Sequence, residues 1–260
     1  MRIATWNVNG VRARLPRLIP WLEATAPDIC ALQETKCKDD GFPAAEIRAL
    51  GYEFAHHGTG GFNGVALLSR VGLDNVSFGF PGTDDPKMAE ARCVSGVAGG
   101  VRAYSLYIPN GRSLDSPEYP YKLAWLSLLG DTIEAVAKPT EAVVAMGDFN
   151  VALADADVWD RAAFEGSTHV TEPERDGVRR LLDWGMTDIP ARIAKGDHSY
   201  TYWDYRAGMF HMNKGMRIDY VLATASITDA ITDAYVDRDA RKGSGPSDHA
   251  PIVVDTDFGG

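Results

Sequence analysis

Val143-Val144-Ala145-Met146-Gly147-Asp148-Phe149-Asn150 is a short apolar run that ends in a polar-x-Asn pair. Its β-branched start predicts a strand. Residues i and i+2 of an extended backbone point to one side, so Asp148 and Asn150 are delivered together while Phe149 packs into the core. Ile3-Ala4-Thr5-Trp6-Asn7-Val8-Asn9 has the same form and hints at internal duplication. Either pair alone reads at least as well as an Asx turn closing a strand.

Working outward, similar apolar runs predict strands at Arg2–Trp6, Ile29–Leu32, Val65–Ser69, Val101–Tyr107, Val143–Met146, Ile218–Leu222 and Ile252–Val254. Leu123, Leu126, Leu129, Ile133 and Val136 place one apolar stripe on a helix over Tyr121–Ala137. Thr171-Glu172-Pro173-Glu174 reads as a capping box, followed by Val178, Leu181, Leu182 and a stop at Gly185. Helices are too sparse, and short Gly or Pro turns too common, for a strict βαβ repeat. The expectation is an α/β chain of the α+β kind, a layered sandwich. No linker or composition shift divides it, so residues 1–260 are expected to form one domain.

The composition, 45% hydrophobic and 24% charged over 260 residues, is that of a folded chain and excludes disordered, collagenous and low-complexity classes. Against 36 Asp and Glu stand 26 Lys and Arg, a net charge of −10, which excludes a simple basic coat for nucleic acid. A polyanion is handled here only through a local basic rim or a bound cation. The start, Met1-Arg2-Ile3-Ala4-Thr5-Trp6, lacks a charged-then-apolar leader, and no window approaches the ~20 consecutive apolar residues of a membrane span. A cytoplasmic location, with the nucleoid if bacterial, and no membrane partner are expected. Cys30, Cys37 and Cys93 lack CxxC spacing and read as reduced thiols.

Several polar residues fall at strand ends. Glu34, in Gln33-Glu34-Thr35-Lys36, stands where a hard cation can be held by a few oxygens, although a lone glutamate there also reads as solvated loop. Prolines bracket Ser247-Asp248-His249, which predicts a rigid loop presenting Asp248 and His249 together. A histidine so placed hydrogen-bonds a phosphoryl oxygen or, with Asp219 behind it, serves as an oriented acid or base. Tyr107, Asn110 and Arg112 leave a strand through a Pro-Asn-Gly turn and carry donors suited to phosphate oxygens. Carboxylates, amides and a histidine without a Gly-rich phosphate loop suit metal-assisted phosphodiester hydrolysis.

At this point the chain resembles the exonuclease III-like AP endonucleases of the endonuclease/exonuclease/phosphatase (DNase I-like) superfamily. The resemblance rests on TWNVNG (5–10), LQETK (32–36), LYIPNGR (106–112), GDFNV (147–151), YTYWDYR (200–206), GMRIDYVL (215–222) and PSDHAP (246–251), in family order from end to end. It implies a four-layer αββα sandwich, two mixed β-sheets packed face to face with helices outside. It implies Mg²⁺ or Mn²⁺, with Glu34 the chief ligand and Asn7, Asn9 and Asp248 near the metal or its water; several members carry Asp where this chain has Asn9. Asp148 would activate the water, with a Tyr107 phenolate the other candidate for its proton, and Asn150 would orient the phosphate. His249, paired with Asp219, would bind the phosphate or stabilise its charge, with Tyr107 and Asn110 as further donors. Tyr202, Trp203 and Met216 would contribute to a pocket for a flipped-out abasic sugar. Arg12, Lys36, Arg112 and Lys214 are candidate clamps on the DNA backbone.

The implied activity is incision 5′ of abasic sites in duplex DNA, with 3′→5′ exonuclease or 3′-phosphatase side activity. The implied partner is double-stranded DNA with abasic sites or blocked 3′ ends, and the default state is a monomer. Two alternatives are a superfamily relative acting on another phosphoester, such as an inositol phosphate or sphingomyelin, and a silent DNA-binding module. Four acids assigned to a cation-holding centre would let the bound ion reverse the sign that DNA meets. The remaining negative excess then predicts weak non-specific DNA binding with strong salt sensitivity.

Overall fold

The computed structural model describes residues 1–189 and 200–259. From the N-terminus, β1 (Arg2–Asn7), α1 (Val11–Thr25), β2 (Ile29–Gln33), α2 (Ala44–Ala49), β3 (Glu53–His57) and β4 (Val65–Ser69) lead to β5 (Asp74–Phe78), β6 (Cys93–Ala98) and β7 (Val101–Tyr107). Then follow α3 (Glu118–Val136), β8 (Val143–Asp148), α4 (Glu172–Trp184), β9 (Met186–Asp188), β10 (Asp219–Thr224), α5 (Ala225–Thr228), β11 (Ile231–Val236) and β12 (Ile252–Thr256). Two six-stranded sheets form, in the orders β11-β12-β1-β2-β4-β3 and β5-β6-β7-β8-β10-β9. Each is mixed: β1 and β2 are parallel in the first, β7 and β8 in the second, and their other pairings are antiparallel.

The layers explain why the strands read as unbroken apolar runs. Alternate residues feed different cores, so both faces are buried. Val144 and Met146 of β8 meet Ile3, Ile29 and Leu67 between the sheets. Val143 and Ala145 point the other way, against Trp125, Leu126 and Leu129 of α3 and Val178 and Leu181 of α4. Across the molecule, Ala4 and Trp6 of β1 pack under Leu18, Trp21 and Leu22 of α1. This is the expected αββα sandwich.

The duplication hint is sharpened and its pairing corrected. The two sheet orders superpose strand for strand when β1-α1-β2 is matched to β7-α3-β8. Thus Asn7 corresponds to Tyr107, and the Asp148 strand corresponds to β2, not to β1. In α3 the stripe is also adjusted, with Trp125 buried and Val136 48% exposed beyond the helix-sheet contact. The cap of α4 forms as read, Glu174 accepting the Thr171 backbone N–H at 3.1 Å and its hydroxyl at 2.7 Å. All three cysteines are free and buried. Among the described residues no helix is long and apolar enough to cross a membrane.

Candidate active site

Strand register brings the polar ends together. Asp148 pairs with Tyr107 on one side and with Asp219 on the other. Asn7 ends β1 in the facing sheet, and its amide bridges the two sheets. Its Nδ2 donates to Glu34 Oε1 and to Asp148 Oδ2, both at 2.9 Å. The Asn9 backbone N–H donates to Asn7 Oδ1 at 3.0 Å, which fixes the amide with its nitrogen toward the carboxylates. Asn7 therefore orients the acids of the site and turns its amide nitrogen, not its oxygen, toward them.

Glu34 follows β2 with a left-handed φ of 51°, and Lys36 has 52°. Such backbone costs energy for residues other than glycine and persists only where its surroundings hold it. Here the Gly10 N–H donates to the Glu34 carbonyl at 2.7 Å, while the Thr35 and Lys36 N–H groups donate to Gly64 and Asn63 carbonyls at 3.0 Å. Thr35 Oγ1 also lies 2.8 Å from His56 Nε2. Burial opposes the Glu34 charge, but the Lys36 ammonium, 2.7 Å from Oε2, and the Asn7 amide outweigh it and hold the pKa low. Lys36 also donates to Asn9 Oδ1. It is thus turned into the acid cluster, onto the same Glu34 and Asn9 oxygens that a cation would take.

His249 and Asp148 form the second half of the centre. His249 Nδ1 sits 2.8 Å from Asp219 Oδ2, and Nε2 lies 3.7 Å from Asp148 Oδ2. Burial works against the charged imidazole, yet Asp219 and Asp148 prevail and raise its pKa to about 10. For Asp148, burial together with Asp219 and Glu34 outweighs His249 and raises the carboxyl to about 7. Asp248 accepts the Asn9 amide at 2.9 Å and lies behind it. The Ser247 hydroxyl donates to the Asn7 carbonyl at 2.6 Å and accepts the His249 N–H at 3.2 Å, locking this loop onto β1.

A third group lines the exit of β8. Asn150 has φ 52°, and its N–H donates to Asp148 Oδ1 at 2.9 Å. Its Nδ2 donates to the Ile108 carbonyl at 3.0 Å, so Oδ1 faces Asn110 Nδ2 at 3.1 Å and His169 Nε2 at 3.2 Å. His169 is kept neutral, burial and Lys122 pushing its pKa down to about 4. Beneath lies the fully buried pair Lys122–Glu174. Lys122 also donates to the Asn150 carbonyl at 2.6 Å, and Glu174 accepts the His169 N–H at 2.9 Å.

The aromatic residues separate by depth. Tyr202 packs its ring 4.9 Å from that of His249 and borders an apolar cluster with Met216 and Ile218. Trp203 is 0% exposed and packs edge-on against Phe210 at 5.2 Å, so it is core and touches no substrate, a correction. Of the remaining basic candidates, Arg112 is exposed beside Glu118, Arg12 donates to the Gly41 carbonyl, and Lys214 rests over the Trp159 ring. None of these three joins the acid cluster.

Several contributors escaped the sequence reading. Lys122 shares a helix face with Leu126, Leu129 and Ile133, and a lysine on an apolar stripe is the signal that finds it. Glu174 reads fully as a cap, which hides its second task. His169 and His56 carry no local signal.

The arrangement fits a hard divalent cation. Carboxylate oxygens of Glu34 and Asp148 lie within 4.8 Å of one another with the His249 imidazolium beside them, Asn9 adds an amide oxygen, and the Lys36 ammonium marks where positive charge is drawn. The model of the Endonuclease/Exonuclease/phosphatase family matches residues 4–249. Exodeoxyribonuclease III of Haemophilus influenzae is 30% identical, with 97% of this chain and 98% of that one aligned. A 3′ phosphatase from Neisseria, solved with a product DNA hairpin, is 37% identical at a TM-score of 0.92, covering 99% of this chain and 100% of that one. An AP endonuclease from Archaeoglobus fulgidus is 34% identical at a TM-score of 0.93, covering 99% of each chain. On sequence and fold alike, this chain belongs to the Endonuclease/Exonuclease/phosphatase family.

Proposed function

We propose that the protein is a divalent-metal-dependent hydrolase of DNA repair. It incises the phosphodiester 5′ of abasic sites in duplex DNA and also processes 3′ ends as an exonuclease or 3′-phosphatase. The meeting of Glu34, Asp148 and His249 where the two sheets face each other carries this reading. The names of the Haemophilus, Neisseria and Archaeoglobus relatives support DNA as substrate.

Glu34 and Asn9, with Asp248 behind, would hold Mg²⁺ or Mn²⁺. Bound there, the cation supplies charge neutralisation at the scissile phosphate. Asp148, its pKa near neutrality, accepts a proton from the attacking water. His249 is held protonated by Asp219. The 3.7 Å from Nε2 to Asp148 is beyond hydrogen-bond reach, which leaves Nε2–H to donate to a phosphoryl oxygen. Burial and the Glu34 and Asp148 charges raise Tyr107 well above its ordinary value, which favours a phenol donor over a phenolate base. Asn150 and Asn110 orient the phosphate, and Tyr202 with Met216 and Ile218 offers an apolar wall to a sugar that lacks its base.

The test is incubation with a duplex carrying one tetrahydrofuran abasic analogue, with Mg²⁺ or EDTA, beside an undamaged duplex. Incision at the analogue with Mg²⁺ alone is expected; binding without cutting would leave only a DNA-binding module. Glu34→Ala is expected to raise the Mg²⁺ concentration for half-maximal rate by about 10- to 100-fold. An unchanged Mg²⁺ titration would remove Glu34 from the metal site.

A second reading, in which 3′ ends are preferred over internal abasic sites, is favoured by His169. Its Nε2 flanks the Asn110–Asn150 hydrogen bond, 3.1 Å from Asn110 Nδ2 and 3.2 Å from Asn150 Oδ1. An internal site needs room for strand on both sides of the cleaved bond, whereas a 3′ terminus needs it on one. His169→Gly is therefore expected to raise abasic incision relative to 3′-phosphate removal by roughly tenfold. Parallel rate assays on the two duplexes check this, and a constant ratio would discard the second reading.

A further inference from the structure

A cavity opens beside the active centre. It measures about 240 Å³ and is lined by Tyr205, Phe210, His211, Arg241, Lys242 and Pro246 among others. Pro246 directly precedes Ser247-Asp248-His249, and Tyr205 lies three residues beyond Tyr202, so the cavity shares both loops with the catalytic site. Arg241 is only 5% exposed. One guanidinium nitrogen donates to the Trp203 carbonyl at 2.9 Å, but its Nε has no hydrogen-bond partner. A buried donor left unpaired costs about 1–3 kcal/mol.

The charge balance points the same way. Arg238 and Arg241 both lie against the Phe210 ring, at 4.2 and 4.9 Å, and neither is in a salt bridge among the described residues. Burial lowers the pKa of each guanidinium, against the opposing pull of Asp239 on Arg238 and of Asp248 on Arg241. The acids close by are engaged elsewhere, Asp204 with Arg206 and Asp239 with Lys242. The walls are built for position. Arg17 donates to the Ala240, Lys242 and Ser244 carbonyls, and the Tyr205 hydroxyl bridges Arg14 and the Pro246 carbonyl. Rings on Arg241, Tyr205 at 5.2 Å and Phe210, hold its planar fork in one orientation.

We infer that this cavity is a phosphate subsite, in which Arg241, with Lys242, receives a backbone phosphodiester of the DNA strand away from the bond being cut. The inference rests on the DNA-hydrolase reading above. It explains how a chain of net charge −10 grips a polyanion: by a built pocket with a fixed guanidinium, not by a diffuse basic surface.

Ethylation interference on the wild-type protein, with a duplex carrying the tetrahydrofuran analogue, is the test. One interfering phosphate separate from those flanking the scissile bond is expected. Arg241→Met, which keeps the apolar packing, is expected to lose that interference, to raise the DNA Kd about tenfold and to lower the slope of log Kd against log salt by about one. Lys242→Ala, at an exposed position, is expected to change the slope in the same direction should Arg241→Met fail to fold. Interference confined to the phosphates flanking the scissile bond, or an Arg241→Met protein with wild-type Kd and slope, would overturn the subsite. Absence of DNA binding by the wild-type protein would instead overturn the functional reading.

Discussion

Asp148→Asn is expected to lower single-turnover incision by about 10³-fold or more while DNA affinity stays within a few-fold of wild type. Asparagine keeps the shape of the side chain, but its single oxygen accepts only one of the Asn7 and Asn150 donors that the two Asp148 oxygens take, and it cannot take a proton from water. Binding survives because the DNA contacts assigned here, Asn110, the Tyr202 wall and the Arg241 cavity, lie outside the carboxylate. Rapid-quench kinetics with anisotropy titration of the same variant separates the two quantities. Incision near the wild-type rate would transfer the base role away from Asp148.

Lys122→Met is expected to destabilise the fold by about 3–5 kcal/mol, because it leaves the Glu174 carboxylate buried without its counter-charge. For a chain of this size the thermal midpoint should drop by about 10 °C. Glu174→Met added to Lys122→Met should restore much of that loss, since removal of both charges avoids an unpaired ion. Activity should fall even where the protein is folded. Lys122 holds the Asn150 carbonyl and Glu174 holds the His169 backbone, so the phosphate-facing amides lose their support. Thermal melts of single and double variants check the first part, and a melt unchanged in Lys122→Met would refute it.

The legible parts of the sequence share one physical cause. β1, β2, β4, β7, β8, β10 and β12 are buried on both faces, and that burial writes continuous apolar runs. Of the unread strands, β3, β5, β9 and β11 lie at sheet edges, where exposed positions such as Glu53, Asp74, Asn75 and Thr232 dilute the pattern, whereas β6 is interior and buried but carries Ser95 and Gly96 inside its run. α1 was hidden by Pro16 and Pro20 inside it. Their spacing makes them compatible, because the N–H absent from Pro20 is the one that would bond the Pro16 carbonyl. In the site, Glu34, Asp148, Asp219 and His249 were readable because each closes or opens a strand or sits in a proline-bracketed loop. The depth of Trp203, the inward turn of Lys36 and the His169 bridge depend on contacts between segments far apart in the chain, which no local pattern records.

The central claim is that one centre joining both sheets performs metal-assisted hydrolysis. Its most direct test is mass spectrometry of both fragments after a duplex with a natural abasic site is cut in ¹⁸O-water with Mg²⁺. The account predicts a 3′-hydroxyl fragment and a 5′-deoxyribose-phosphate fragment carrying one ¹⁸O on its phosphate, and no product in EDTA. An unsaturated sugar on the 3′ end without ¹⁸O, the mark of elimination, would contradict it.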